Sequence, residues 1–215
     1  MSGVFITFEG IEGCGKSTQL ALLAAALRQR GRRVTATREP GGTRAGEAIR
    51  TLLTDASAPE LHPLTELLLY LADRVQHVRE IVKPALAGHH VVLCDRFSDS
   101  TVAYQGHGRG GDISRIRRLD EIARDGCWPD LTFLLDCPVA LGLQRARARA
   151  TVPEGADRLE REPEAFHERV HAGFLELARA EPDRIVVIDS RLPLRENGDR
   201  ILDETLRRLA AEVPS

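Results

Sequence analysis

Gly10-Ile11-Glu12-Gly13-Cys14-Gly15-Lys16-Ser17 fits the pattern G-x-x-x-x-G-K-[ST]. A run of this kind can wrap a polyphosphate. Its glycines let backbone N–H groups turn inward, and a helix starting at its end adds partial positive charge. In such a loop Lys16 reaches the β and γ phosphates of a nucleoside triphosphate and the Ser17 hydroxyl faces Mg²⁺. The expected ATP contacts run from Gly10 through Ser17 to Thr18. The competing reading, a tight strand-to-helix turn with no ligand, is weaker because the run lies between an apolar strand pattern and a helical one.

Two further places carry groups suited to phosphate chemistry. One is Thr37-Arg38-Glu39-Pro40-Gly41-Gly42-Thr43, the other Asp95-Arg96-Phe97. Each follows an apolar strand candidate. Arg38 and Arg96 offer planar forks for a phosphate acceptor. The plainer alternative pairs each with its neighbouring acid, Arg38 with Glu39 and Arg96 with Asp95. Asp95 ends a buried apolar strand, a fitting place for a carboxylate that meets hydrated Mg²⁺. A GTP-dependent switch would carry N-K-x-D after a late strand, whereas the last strand here reads Ile185-Val186-Val187-Ile188-Asp189-Ser190. Short length favours phosphoryl transfer to a small acceptor.

The elements that must position these groups follow from apolar periodicity. Strands are expected at Val4–Glu9, Arg33–Thr37, His90–Cys94, Thr132–Leu135 and Ile185–Ile188. Helices are expected at Lys16–Gln29, Thr43–Leu53, Pro63–Leu86, Ser114–Asp125, Pro138–Arg149, Pro163–Ala180 and Leu194–Glu212. Gly31 and Gly88 mark two of the helix ends. This alternation predicts an α/β fold of three layers, a five-stranded parallel sheet with helices on both faces. The 215 residues suit a single domain. Ala150 to Asp157 is small, polar and turn-rich, and with the arginines around it reads as a lid over about 145–160.

A formal net charge of −2 marks no nucleic-acid or membrane binder. Cys14, Cys94, Cys127 and Cys137 are scattered, without a metal-ligand spacing, and read as reduced thiols of a cytoplasmic protein. No apolar stretch approaches the roughly 20 residues that span a bilayer, and the N-terminus lacks the zones of a signal peptide.

Together with the phosphate loop, the two strand-end motifs closely resemble those of the thymidylate kinases. Tyr70-Leu71-Ala72-Asp73-Arg74, Ser100-Thr101-Val102-Ala103-Tyr104-Gln105 and the arginine run from Arg145 match as well. The resemblance runs from Val4 to about Glu160 and more loosely to the end. It implies a P-loop nucleoside monophosphate kinase that moves the γ-phosphoryl of MgATP to dTMP, giving dTDP and ADP for dTTP synthesis. By resemblance, Arg38 and Arg96 hold the acceptor's phosphate, Tyr70 stacks on thymine and Arg74 hydrogen-bonds it. Ser100 belongs to the same set, Thr101 and Gln105 read the polar edge of the base, and Tyr104 crowds the sugar's 2′ position. Glu12 approaches the sugar's 3′-hydroxyl. The spacing agrees, since Tyr70 and Arg74, like Thr101 and Gln105, are four apart and share a helix face. Tyr70 as a core aromatic is the alternative on the residues alone.

Many relatives place an arginine inside the loop, where this sequence has Gly13. Arg145, Arg147, Arg149 and Arg158 instead surround the lid, as in the bacterial arrangement that supplies the transition-state charge from there. Arg149 and Arg158 are the favoured pair, and spacing does not choose between them. The catalytic set is then Lys16, Arg96, Asp95, Arg149 and Arg158, with Ser17 and Asp95 at Mg²⁺, partly through water. The family usually forms homodimers. Rival readings are a kinase for another acceptor, such as dUMP or a deoxynucleoside, and a nucleotide-binding regulator without turnover. The isomer of the Glu39–Pro40 bond stays open.

Overall fold

Apolar, partly β-branched runs form the strands of one sheet. They are β1 (Val4–Glu9), β2 (Val34–Arg38), β3 (Val91–Asp95), β4 (Leu131–Asp136) and β5 (Ile185–Asp189). The computed structural model describes residues 3–55, 60–149 and 158–211. All strand pairs are parallel and the order is β2-β3-β1-β4-β5. β1 is buried along its whole length, as expected of a central strand covered on both faces. Register aligns the carboxyl ends: Asp95 lies opposite both Phe8 and Arg38. The segments after β1, β2 and β3 therefore leave the sheet side by side, where ligands of open α/β sheets collect.

Helix α1 (Lys16–Gln29) follows β1, and α9 (Leu194–Ala211) lies against it, with both touching the sheet. Leu20, Leu23, Ala24 and Leu27 of α1 share one core with Ile6, Phe8 and Leu93. Phe5, Val92 and Cys94 project the other way, into a second cluster with Val78, Val82 and Phe97. That reversal is the period-2 alternation of a strand. Helices α2 (Arg44–Thr54), α3 (Pro63–His77), α4 (Lys83–Ala87), α5 (Ser98–Thr101), α6 (Ile113–Arg124), α7 (Val139–Arg149) and α8 (Glu164–Ala180) complete the layers.

Two helices depart from the expected pattern. Pro63–Leu86 was expected as one helix, and it runs continuously but opens into a π-helical stretch, Val78–Val82, before α4. Pro84 has no N–H to give to residue 80, and the widened turn ahead of it accommodates that loss. The second departure is α5 with its π-helical continuation Val102–Gly108, which has no bounds among the expected helices although the Thr101–Gln105 spacing implies a helical face there. The segment is short and ends in Gly106 and Gly108, so its helical signal is weak. Half of the expected lid, 150–157, lies outside the described residues, as does the side chain of Arg149.

Candidate active site

The phosphate loop bends back on itself between β1 and α1. Lys16 is buried, and its Nζ donates to the carbonyls of Gly10 at 3.1 Å and Ile11 at 2.9 Å. Gly13 has φ 73°, and a Cβ built there would sit 1.9 Å from the carbonyl oxygen of Gly142. A Cβ on Gly142 would in turn meet the Glu12 carbonyl at 2.6 Å. Two glycines thus let α7 lie directly on the loop. This is a physical reason for the missing loop arginine: no side chain fits at position 13 while α7 is seated there.

Glu12 turns from the loop toward the ends of β3 and α5. Its Oε1 accepts from Arg96 Nη2 at 3.0 Å and from the Tyr104 hydroxyl at 2.6 Å. Burial opposes its ionisation, yet His167, Arg96, Lys16 and Tyr104 together hold its carboxyl well below the usual range. Burial also keeps the Tyr104 phenol protonated, with its pKa pushed up. Arg96 adopts φ 72°, a costly conformation for a residue that carries a Cβ. It is pinned by its own N–H to the Phe8 carbonyl at 3.0 Å and by Nη1 to the Gly10 carbonyl at 2.8 Å. The guanidinium also lies over the Tyr104 ring, 5.0 Å from its centroid. Beneath it, Glu9 accepts from Phe97 N at 2.7 Å and from the Ser100 hydroxyl at 2.5 Å. Burial, with Asp99 nearby, pushes the Glu9 carboxyl up to about 8.

The neighbour pairings considered from sequence do not form. Arg38 pairs with Glu47 at 2.8 Å, half exposed, and Arg96 pairs with Glu12. Glu39 turns inward, accepting from Arg74 Nε at 2.9 Å and meeting His77 Nδ1 at 2.8 Å. His77 Nε2 bonds Thr37 at 2.7 Å, and Arg74 Nη1 donates to Asp120 at 2.5 Å. Thr37, His77, Glu39, Arg74 and Asp120 thus form one polar chain, buried but for its Thr37 end. The Glu39–Pro40 peptide is cis. Gln105 donates to the buried Glu66 at 3.0 Å.

Every residue expected at the acceptor lines one cavity of about 260 Å³: Glu12, Arg38, Tyr70, Arg74, Arg96, Ser100, Thr101, Tyr104 and Gln105. Lys16, Ser17 and Asp95 line the same cavity, and the Ser17 hydroxyl donates to Asp95 at 2.5 Å. Tyr70 is partly buried and packs on the core as well as facing the cavity. Among the lid arginines, Arg158 donates to Glu66 at 2.8 Å, and Arg145 reaches the Ser190 carbonyl at 3.3 Å. Neither side chain lines the cavity, although Leu159 and Glu160 do. Sequence reasoning missed Glu9, Glu66, His77 and Asp120. Glu9 alone left a signal, an acid at the end of a buried strand beside the loop.

Comparison with known proteins agrees with this geometry. The family model described as thymidylate kinase matches residues 8–201. The thymidylate kinase of Trichlorobacter lovleyi is 54% identical, covering 98% of this chain and 100% of the relative. That of Gloeobacter violaceus is 52% identical over 92% of each. The crystal structure of thymidylate kinase from Ehrlichia chaffeensis superposes with a TM-score of 0.76 at 36% identity, covering 96% of this chain and 99% of that one. These matches run over nearly the whole chain, and the chain belongs to the thymidylate kinase family, ATP-dependent kinases that phosphorylate dTMP to dTDP.

Proposed function

We propose that this chain forms a single kinase domain in which the cavity of about 260 Å³ holds dTMP, with its phosphate at Arg38 and Arg96 and its base at Tyr70 and Arg74. The observation that carries this reading is the shared cavity, lined by the cationic groups of Lys16 in the loop and Arg96 just after β3 as well as by a buried, carboxylate-held arginine, Arg74. Thr101 and Gln105 complete the base end and Tyr104 the sugar, while Glu12 faces the 3′-hydroxyl. Positioned this way, an acceptor oxygen attacks the γ-phosphorus of ATP in line as the bond to the β-phosphate bridging oxygen breaks. The acceptor oxygen is already anionic, so positioning and charge stabilisation suffice without a general base. Lys16 and Arg96 take up the charge that develops on the transferring group. Arg149 and Arg158 complete that shell when the segment around 145–160 closes as a lid, excluding water as a rival acceptor.

Ser17 and Asp95 suit Mg²⁺. Among the described residues no group of three His, Cys, Asp or Glu could hold a metal. Mg²⁺ commonly takes only one or two protein oxygens and completes its shell with water and phosphates. Bound there with ATP, it would neutralise charge on the phosphates.

A homodimer is supported by four exposed apolar side chains, Leu52 on α2, Leu68 and Val75 on α3 and Ile122 on α6, on helices that contact one another in series. Sedimentation in dilute solution tests it, and a clean monomer rejects it. Cytoplasmic residence is supported by the four buried free thiols. Among the described residues no helix is long and apolar enough to cross a membrane. The reaction itself is tested by incubating the protein with MgATP and dTMP and resolving the nucleotides. Equimolar ADP and dTDP are expected. ADP without dTDP would replace transfer by hydrolysis and overturn the reading.

A further inference from the structure

Behind the phosphate loop lies a buried imidazole that the scheme above leaves unused. His167, in α8, is fully buried, and neither ring nitrogen has a hydrogen-bond partner. One side of the ring is closed by Phe166, edge-on at 5.4 Å. A buried polar atom left unpaired forfeits its hydration for nothing, so its surroundings call for explanation. Nδ1 of His167 stands 3.5 Å from Oε2 of Glu12, which is itself buried without a partner. The two form a complementary donor and acceptor separated by slightly more than a hydrogen bond, a gap common in ligand-free sites that tighten on binding. Glu12's other oxygen, Oε1, already takes Arg96 and Tyr104, and the residue lines the cavity.

We propose that His167 is a positioning residue that donates Nδ1–H to Oε2 of Glu12 from behind, fixing the carboxylate plane so that Oε1 meets the acceptor's 3′-hydroxyl. Arg96 and Tyr104 hold one oxygen only, which leaves the carboxylate free to rotate about that anchor. A bond on the second oxygen removes that freedom. Either charge state of the imidazole that carries Nδ1–H serves. The inference rests on the reading of Glu12 as the group that meets the sugar hydroxyl.

The test compares dTMP with its 3′-deoxy analogue in wild type, His167→Phe, His167→Asn, His167→Gln and Glu12→Gln, with MgATP affinity as the control for an intact loop. In His167→Phe, kcat/KM for dTMP should fall about tenfold, while that for the 3′-deoxy analogue changes little, so the preference for a 3′-hydroxyl collapses. His167→Asn carries an amide N–H near the Nδ1 position and should restore most of the preference; His167→Gln, whose amide reaches the Nε2 position, should not. If His167→Phe fails to fold, the Asn–Gln contrast decides. Equal losses on both acceptors, or Asn and Gln behaving alike, would overturn the role of His167. A Glu12→Gln variant that keeps the full preference would instead sink the reading of Glu12, and the inference with it.

Discussion

The two ends of the acceptor cavity are built differently. At the phosphate end, one contiguous loop supplies backbone and Lys16, and one residue after β3, Arg96, is strained into place. At the base end, Arg74 is held by Glu39 and Asp120, partners 35 and 46 residues away in sequence, all three deeply buried. Phosphate recognition can be local because the ligand's charge is large and a backbone turn is enough to meet it. Base recognition needs a fork aimed in one direction, and aiming a buried guanidinium takes fixed carboxylates on both sides. The phosphate end should therefore govern turnover and the base end acceptor choice.

The sharpest break of that division is Lys16→Ala, which should lower kcat roughly 10²–10³-fold and leave the thermal midpoint nearly unmoved. Near-normal turnover would remove the loop from the mechanism. Next comes Gly13→Ala, whose Cβ meets the Gly142 carbonyl at 1.9 Å on a backbone with φ 73°. It should cost about 2–4 kcal/mol in urea unfolding, and a neutral result would mean that α7 does not sit on the loop.

At the base end, Asp73 is fully buried and accepts from Gly41 N at 2.9 Å, while its other oxygen has no partner. Burial, reinforced by Glu39, pushes its pKa from 3.8 to about 7. Below the unfolded value the carboxyl is neutral in both states. Between 3.8 and about 7 the unfolded chain releases a proton that the folded one keeps, so folding stability falls as pH rises through that window. Asp73→Asn removes the penalty, and its thermal midpoint should gain several degrees on wild type across the window, then level off. A constant gap would contradict the assignment. Arg74→Lys keeps the charge and loses the fork, so KM for dTMP should rise about tenfold with kcat changed far less. A kcat loss as large as the KM effect would erase the distinction between the ends. Smallest of all, Glu47→Gln breaks the half-exposed pair with Arg38 and should shift stability by less than about 1 kcal/mol in the same urea assay.

The same division decides what the sequence made legible. Strand ends fell within about one residue of the pattern because every strand ends on a charged residue and all but β2 are mainly apolar. The loop and Asp95-Arg96 were legible for the same reason, being local. Glu39 was not: its nearest cation in sequence is Arg38, yet its partners are Arg74 and His77. Only the fold, which sets His77 of α3 against Thr37 of β2, brings them together, and periodicity carries no information about such pairings. Pro84 was visible, but the π-helical turn that absorbs it was not. Gly13 was read as a missing arginine, whereas its neighbour Gly142 explains it as a contact.

The most direct measurement of the central claim is MgATP-dependent ADP release with dTMP, dUMP, UMP, dCMP, AMP and GMP supplied singly. The account predicts strong stimulation by dTMP, weaker by dUMP and negligible by the rest. Equal stimulation by several acceptors would leave a kinase whose base end reads nothing, contradicting the roles given to Tyr70, Arg74 and Gln105.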